Sequence, residues 1–304
     1  MIKLTDEIKS AIASGKPIVA LESTIIAHGM PYPQNLEMAR EVEQILRDNG
    51  AIPATIAVVD GTPRAGLSNA ELEHFAKTGP SIIKVSTRDL PYVIAKKITG
   101  ATTVASTMRL AAMAGIHVFA TGGIGGAHRG AENTFDISAD LVEFSQSNVA
   151  VVTAGAKAIL DLALTLETLE TFGVPVVGYG TDEFPAFYSR VSGHKVPMRC
   201  NTPQEIAAMM HAKWNMKLNV GIVVANPIPM AAEIPASEIA PTIEQAITEA
   251  NELGVHGKNV TPFLLARLAE ITQGRSLAAN VALVKNNAKL AADIAVDFTK
   301  QTKT

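Results

Sequence analysis

The feature that most constrains this chain is a steady alternation of short apolar, β-branched runs with segments of helical spacing. The runs are residues 17–23 (PIVALES), 55–60 (TIAVVD), 82–86 (IIKVS), 117–121 (HVFAT), 149–153 (VAVVT), 174–178 (VPVVG) and 220–225 (VGIVVA). Between them lie stretches such as residues 35–49, where Leu36, Ala39, Val42, Ile45 and Leu46 recur at helical spacing and Gly50 closes the pattern. Runs that are apolar on both faces must be covered on both faces, which is the condition of parallel strands linked by crossover helices. The expectation is an α/β fold of three layers, α/β/α, with a mostly parallel central sheet and a helical C-terminal region. No linker, low-complexity tract or fixed-period repeat interrupts the pattern, so residues 1–304 read as a single α/β domain.

Composition narrows the function classes. Hydrophobic residues make up 47% of the chain and aromatic ones 5%, with mean hydropathy +0.20, so the core is built from Ala, Val, Ile and Leu. The formal net charge is -3 and no basic block stands out, which argues against nucleic acid as a partner. The single cysteine, Cys200, excludes an internal disulfide framework and suits a reducing compartment, giving a cytoplasmic expectation. Residues 1–24 read as an amphipathic helix running into a strand rather than a signal peptide, and no apolar run is long enough to span a bilayer. The glycosylation triplet at Asn259 is then a chance match.

In open α/β sheets, ligands bind at the carboxyl ends of the strands. That rule directs attention to Glu22, Lys84, the loop at 122–130 and the turn at 155–157. Glu22 directly follows four apolar residues; it is either an acid or base, or a carboxylate tied up at a strand end. Lys84 sits inside a strand run, where it snorkels, lies at an edge or is held in a site. Lys157 follows VAVVTAGA and precedes an apolar helix. A lysine partly desolvated at such a turn is nucleophilic toward a carbonyl; an ordinary solvated lysine is the other reading.

The loop TGGIGGAHRG has four glycines in five positions, followed by His128 and Arg129. Backbone amides free of side chains can cradle a phosphate, although a tight structural turn needs the same composition. The string is neither a Rossmann fingerprint, because His128 stands at the third glycine position, nor a P-loop, because no GK[ST] closes it. Asp136 and Asp140 are four residues apart; on a helix they would share a face and repel, unless a divalent cation or a shared proton intervened. Oxygen ligands without a His or Cys cluster suit magnesium or manganese with water in the remaining positions. Asn226, Asn280, Asn286 and Asn287 either cap backbone groups or read a nucleobase edge.

The exact strings VALESTIIAHGMPYPQN, KVSTRDLP, GATTVASTM, FATGGIGGAHRGAENTFDISADL, TAGAKAILDL, ANPIP and TPFLLARLAE occur in this order. From about residue 8 to the C-terminal helix the chain resembles the pseudouridine-5'-phosphate glycosidase family, with residues 181–201 the least similar segment. The resemblance implies an α/β/α homotrimer with one manganese ion per subunit, or magnesium in its place. It implies reversible cleavage of pseudouridine 5'-phosphate to uracil and ribose 5-phosphate. Carried over, Glu22 matches the proton donor and Lys157 the nucleophile. Lys84, Val104, Ser138, Ala139 and Asp140 match substrate-binding positions, His128 and Asn280 fall on further site positions, and Asp136 matches the metal ligand.

The implied chemistry explains the lysine. Ordinary glycosidases protonate an oxygen leaving group between two carboxylates. Here C1' is joined to carbon 5 of uracil, which has no lone pair to protonate. An imine between Lys157 and C1' of the opened sugar supports positive charge as that bond breaks. Two rivals share the pocket: another Schiff-base sugar-phosphate lyase, which would release no uracil, and a non-catalytic sugar-phosphate or nucleotide sensor, which has little use for Glu22 and Lys157 together.

Overall fold

A computed structural model describes residues 2–255, 257 and 260–301; Asn259 of the glycosylation triplet lies outside them. Each apolar run of the sequence contains a strand. Seven of the strands are β1 (Ile18–Leu21), β2 (Ile52–Val59), β3 (Val118–Ala120), β4 (Ala150–Thr153), β5 (Val176–Tyr179), β6 (Met198–Cys200) and β7 (Ile222–Ala225). They pair in parallel throughout, in the order β2-β1-β3-β4-β7-β5-β6. Every residue of β1, β4 and β7 is buried, as strands covered on both faces require. Beyond β2, strands Thr62–Ala65 and Gly100–Thr102 pair with it antiparallel, and Lys3–Leu4 and Ile83–Val85 extend the edge to eleven strands.

Two helical layers cover the sheet. One contains α1 (Gln34–Asp48), α5 (Pro203–Asn215) and α8 (Arg275–Gln301), with α8 packing against both of the others and lying along β1, β3 and β4. The other contains α2 (Val104–Met113), α3 (Ala139–Phe144) and α4 (Leu162–Thr171). The helical spacing read at 35–49 is α1, and the chain leaves it through Gly50 at φ +82°, a conformation that favours glycine. Helices α6 (Ala236–Glu252) and α7 (Val260–Ile271) pack on each other, and α7 reaches α8, completing the helical C-terminal region. One continuous apolar cluster takes residues from Ile8 to Ala295, so both ends of the chain contribute to it.

The strand order reverses at β1. Its successor β2 lies on one side and β3 on the other, so the crossover helices diverge and leave a crevice at the carboxyl ends of β1 and β3. Asn287 on α8 braces that crevice from beneath. Its amide donates to the Thr121 carbonyl at 2.7 Å, and its oxygen accepts from Asn226 Nδ2 at 3.0 Å, joining the ends of β3 and β7. Of the four asparagines, Asn287 and Asn226 therefore pair with each other, and Asn286 donates to the Pro227 carbonyl.

Asn287→Ala leaves the fully buried Thr121 carbonyl and Asn226 amide without these partners. Unsatisfied buried polar groups cost about 1–3 kcal/mol. Urea unfolding should show a lower midpoint at unchanged slope; an unmoved midpoint would refute the bracing role.

Candidate active site

Glu22 leaves β1 directly, and Thr121 leaves β3 beside it. Thr121 Oγ1 donates to Glu22 Oε1 at 2.5 Å, and the Thr24 hydroxyl donates to Oε2. Both oxygens of a buried carboxylate are thereby fixed by hydroxyl donors from its own two strand ends. Lys157 lies in the turn after β4. Its N–H donates to the Ile124 carbonyl at 3.0 Å, and its carbonyl accepts from Leu160 N–H at 3.0 Å. The backbone is held on both sides of the side chain. Among the described residues, the Lys157 ammonium has no ion pair or hydrogen bond.

Lys84, paired in register with Ala101, and Asn280, on α8, reach the same place. Glu22, Lys84, Lys157 and Asn280 line one cavity of ≈ 60 Å³ together with His28 and Phe187. An adjoining cavity of ≈ 460 Å³ shares His28, Gly29, Pro262, Leu265 and Asn280 with it. The smaller chamber holds Glu22, Lys84 and Lys157, and the two together reach the size of a small-molecule site.

The other sequence candidates form a second cluster. Val104 is buried at the start of α2. Ser138 caps α3, its hydroxyl accepting Asp140 N–H at 3.2 Å, and Ala139 is the first residue of that helix. Asp140 is buried; one oxygen accepts Ala105 N–H at 2.8 Å and the other Gly125 N–H at 2.7 Å. It therefore ties the glycine loop to the start of α2, next to Val104. His128 pairs with Leu160 in a two-stranded ribbon, and its Nδ1 is 4.0 Å from Asp136 Oδ2. The expected shared helical face of Asp136 and Asp140 is not formed. Phe135 turns the chain at φ +56° and the helix begins only at Ala139, so Asp136 is exposed and Asp140 buried.

The glycine loop connects the clusters: Gly122 and Gly123 line the cavity, Gly125 packs on Ser138 and Asp140 of the second group, and Gly126 packs on Thr165 of α4. Several of its amides are already engaged, those of Ile124, Gly125 and Ala127 donating to the Gly155 carbonyl, Asp140 and Thr165. A Cβ on Gly123 would lie 2.6 Å from the Phe187 ring, and one on Gly125 2.6 Å from Asp140 Oδ2. Of the two readings of this loop, close packing accounts for the glycines.

Phe187 and His28 are among the cavity residues that escaped the sequence reading. Phe187 comes from the segment 181–201 that resembled nothing decisive, and it is held at φ +62° with its N–H on the Ala154 carbonyl at 3.0 Å. His28 stands in the string AHGM at the end of the short helix Thr24–His28. Among the described residues its Nε2 is buried without a hydrogen-bond partner, as is Asn280 Oδ1. Burial, aided by the charge of Lys84, lowers the His28 pKa and keeps the imidazole neutral.

The metal expectation meets a sparse donor set. Among the described residues no three His, Cys, Asp or Glu side chains converge. Asp136 offers a single exposed carboxylate, which suits only a hard cation that keeps most of its water.

The chain matches the family described as indigoidine synthase A like protein over residues 7–297. A pseudouridine-5'-phosphate glycosidase of Nocardioides sp. is 59% identical over 298 residues, covering 98% of this chain and 97% of that protein. One of Clostridium botulinum is 55% identical over 302 residues, covering 99% and 98%. An indigoidine synthase A-like protein of Thermotoga maritima superposes with a TM-score of 0.89 at 41% identity, covering 98% and 97%. Prealnumycin C-glycosynthase in complex with ribulose 5-phosphate superposes with 0.92 at 36% identity, covering 100% and 99%.

His28 gives the site a pH signature. Its folded pKa lies below the ordinary 6.5, so the unfolded chain binds the proton more readily. Its stability contribution is complete above about pH 6.5 and is lost as pH falls from there through the folded pKa. Melting temperature should therefore drop on acidification across that window, and His28→Asn should flatten the drop; an unaltered profile in the variant would count against it.

Proposed function

This chain belongs to the indigoidine synthase A-like family, and we propose that it is a pseudouridine-5'-phosphate glycosidase, reversibly cleaving the carbon–carbon glycosidic bond to uracil and ribose 5-phosphate. The observation that carries the reading is the meeting of Glu22 and Lys157 in one small cavity. It is supported by the names of relatives that share 55–59% of their residues with this chain over nearly its whole length. A structural neighbour that makes a C-glycoside and was captured with a sugar phosphate points to the same bond type.

In the proposed reaction the ribose ring opens first. Glu22 delivers a proton to the ring oxygen as that oxygen leaves C1', and Lys157 Nζ, as the free amine, bonds to C1' and then passes a proton to the Glu22 carboxylate, which restores the nitrogen lone pair. Uracil C5 then gains a proton. The nitrogen lone pair forms the C1'=N double bond while the electrons of the C1'–C5 bond return to the uracil ring, and uracil departs. Water adds to C1', the C1'–N bond breaks, and ribose 5-phosphate is released with Lys157 restored. Lys84 is assigned to the phosphate and ribose hydroxyls. Asn280, whose oxygen is otherwise unpaired, is assigned to an N–H of the base. Asp140, Ser138 and Ala139 serve by fixing the glycine loop beside Val104, and His128 supports the same segment.

Three finer assignments belong to this proposal. Asp136 would hold manganese, or magnesium, through its exposed carboxylate; when bound, the ion supplies positive charge that orders water and anionic groups. The assembly is a homotrimer, to be checked by sedimentation mass. The location is cytoplasmic, in keeping with the lone Cys200 and with the finding that no helix among the described residues is long and apolar enough to cross a membrane.

Borohydride reduction with ribose 5-phosphate should attach the sugar to the peptide bearing Lys157, and the Lys157→Ala protein should stay unlabelled; labelling elsewhere would sink the assignment. Glu22→Gln should lower kcat for uracil release by about 10²–10⁴-fold, while still trapping the open-chain aldehyde. The wild-type protein should remove the free manganese signal in electron paramagnetic resonance, and Asp136→Asn should restore it. Equal binding by both proteins would dismiss Asp136 as the anchor.

A further inference from the structure

Segment 181–201 supplies one wall of the chamber that Glu22 and Lys157 line, through the ring of Phe187. Residues 186–189 form a two-residue turn closed by mutual backbone bonds. Ala186 N–H donates to the Ser189 carbonyl at 2.9 Å, and Ser189 N–H to the Ala186 carbonyl at 3.4 Å. Phe187 takes the first central position of this turn at φ +62°. Left-handed backbone there suits glycine, and a bulky residue held in it costs free energy that the surroundings must offset.

The surroundings do so on every side. Phe187 N–H donates to the Ala154 carbonyl at 3.0 Å, and Ala186 pairs with Gly155. Gly155, at φ +89°, has no Cβ to strike the Pro185 carbonyl. On the far side of the turn, Ile234 N–H donates to the Tyr188 carbonyl at 2.9 Å and the Ser189 hydroxyl to the Ile234 carbonyl at 2.6 Å. The ring is set by Gly123, where a Cβ would lie 2.6 Å from it, and by Tyr188, nearly perpendicular with centroids 4.8 Å apart. Glycine at this position would relieve the backbone and keep each of these main-chain bonds. What it would remove is a phenyl ring from a chamber otherwise lined by Glu22, Lys84 and Lys157.

A phenyl ring offers no hydrogen bond, and that decides what can lie against it. The phosphate and the opened ribose of pseudouridine 5'-phosphate present hydrogen-bonding groups all round, which such a wall would leave unsatisfied. The base is flat, with its polar atoms at the edge and its faces free for an aromatic neighbour. It is also bonded directly to C1', the carbon that Lys157 attacks in the proposed reaction, so it lies in the chamber that Lys157 lines. Phe187, bonded to Ala154 just before the turn that carries Lys157, is beside that carbon's partner.

We propose that Phe187 determines base specificity, its ring being the surface against which the flat pyrimidine lies as the C1'–C5 bond breaks or forms. The assignment rests on the glycosidase reading and adds to it the residue that selects an aromatic leaving group.

The test compares uracil with dihydrouracil, which carries the same carbonyl and N–H groups but lacks the aromatic face. Each is measured as an inhibitor of pseudouridine 5'-phosphate cleavage by the full-length protein. Phe187→Leu keeps an apolar side chain and the same backbone demand while removing the ring; Phe187→Met serves if the leucine variant does not fold. Loss of the ring should raise Ki for uracil about tenfold or more and leave Ki for dihydrouracil near wild type. Phe187→Tyr, which keeps a ring, should preserve the preference for uracil. Ribose 5-phosphate and borohydride should still label Lys157 in these variants. An unmoved Ki for uracil would overturn the proposal by placing the base elsewhere. So would an equal rise for both inhibitors, or loss of labelling, either of which would reduce Phe187 to a brace on the Lys157 turn. Wild-type protein that is labelled but cleaves no pseudouridine 5'-phosphate would instead overturn the glycosidase reading, and this assignment with it.

Discussion

The hydrogen bond from the Thr121 hydroxyl to Glu22 is the contact on which the arrangement turns. It exists because β1 and β3 are neighbours across the point where the strand order reverses, and it fixes the carboxylate at the mouth of the crevice that reversal opens. The same residue anchors the architecture through its backbone carbonyl as well. Its carbonyl accepts from Asn287, which in turn holds Asn226 at the end of β7. Chemistry and bracing thus meet in one threonine, and a shift of α8 would be felt at Glu22 through a single residue.

The second cluster acts at one remove. Asp140 spends both oxygens on backbone amides, one at the start of α2 and one in the glycine loop. A buried carboxylate used in this way behaves as a two-pronged clamp, stronger than a neutral side chain would be. The glycines are what let the clamp close: side chains at 123 and 125 would collide with Phe187 and with Asp140 itself. Position 122, by contrast, faces the cavity and packs against α8.

The parallel strands were legible because they are buried on both faces and therefore apolar without alternation. Glu22 and Lys157 were legible for the converse reason, as polar groups at the ends of such runs. The antiparallel strands Thr62–Ala65 and Gly100–Thr102 were not, being short and lacking a continuous apolar run. Asp136 and Asp140 misled because a spacing of four implies a helix only where a helix runs, and the turn at Phe135 and the cap at Ser138 broke it. His28 and Phe187 stayed hidden because what makes them part of a site is supplied from far along the chain. Lys84, Pro262 and Asn280 surround His28, and Gly123 lies under Phe187. Local sequence carries no trace of such neighbours.

Carboxylate and amine line one small chamber here, yet each is satisfied, or left open, separately. Glu22 takes its hydrogen bonds from Thr24 and Thr121, and the Lys157 ammonium is paired with no described carboxylate. An ion pair between them would have favoured the protonated amine and occupied both groups at once. The two hydroxyls orient Glu22 without a fixed counter-charge beside it, so the group stays free to take up a proton and pass it on. The unpaired amine, set on a backbone pinned at both sides, is open to a carbon electrophile rather than locked in a salt bridge. For a bond whose leaving atom is carbon, protonation alone is not enough and a nitrogen must share the charge. The separation of the two groups by threonines is therefore the arrangement that the proposed lysine chemistry requires.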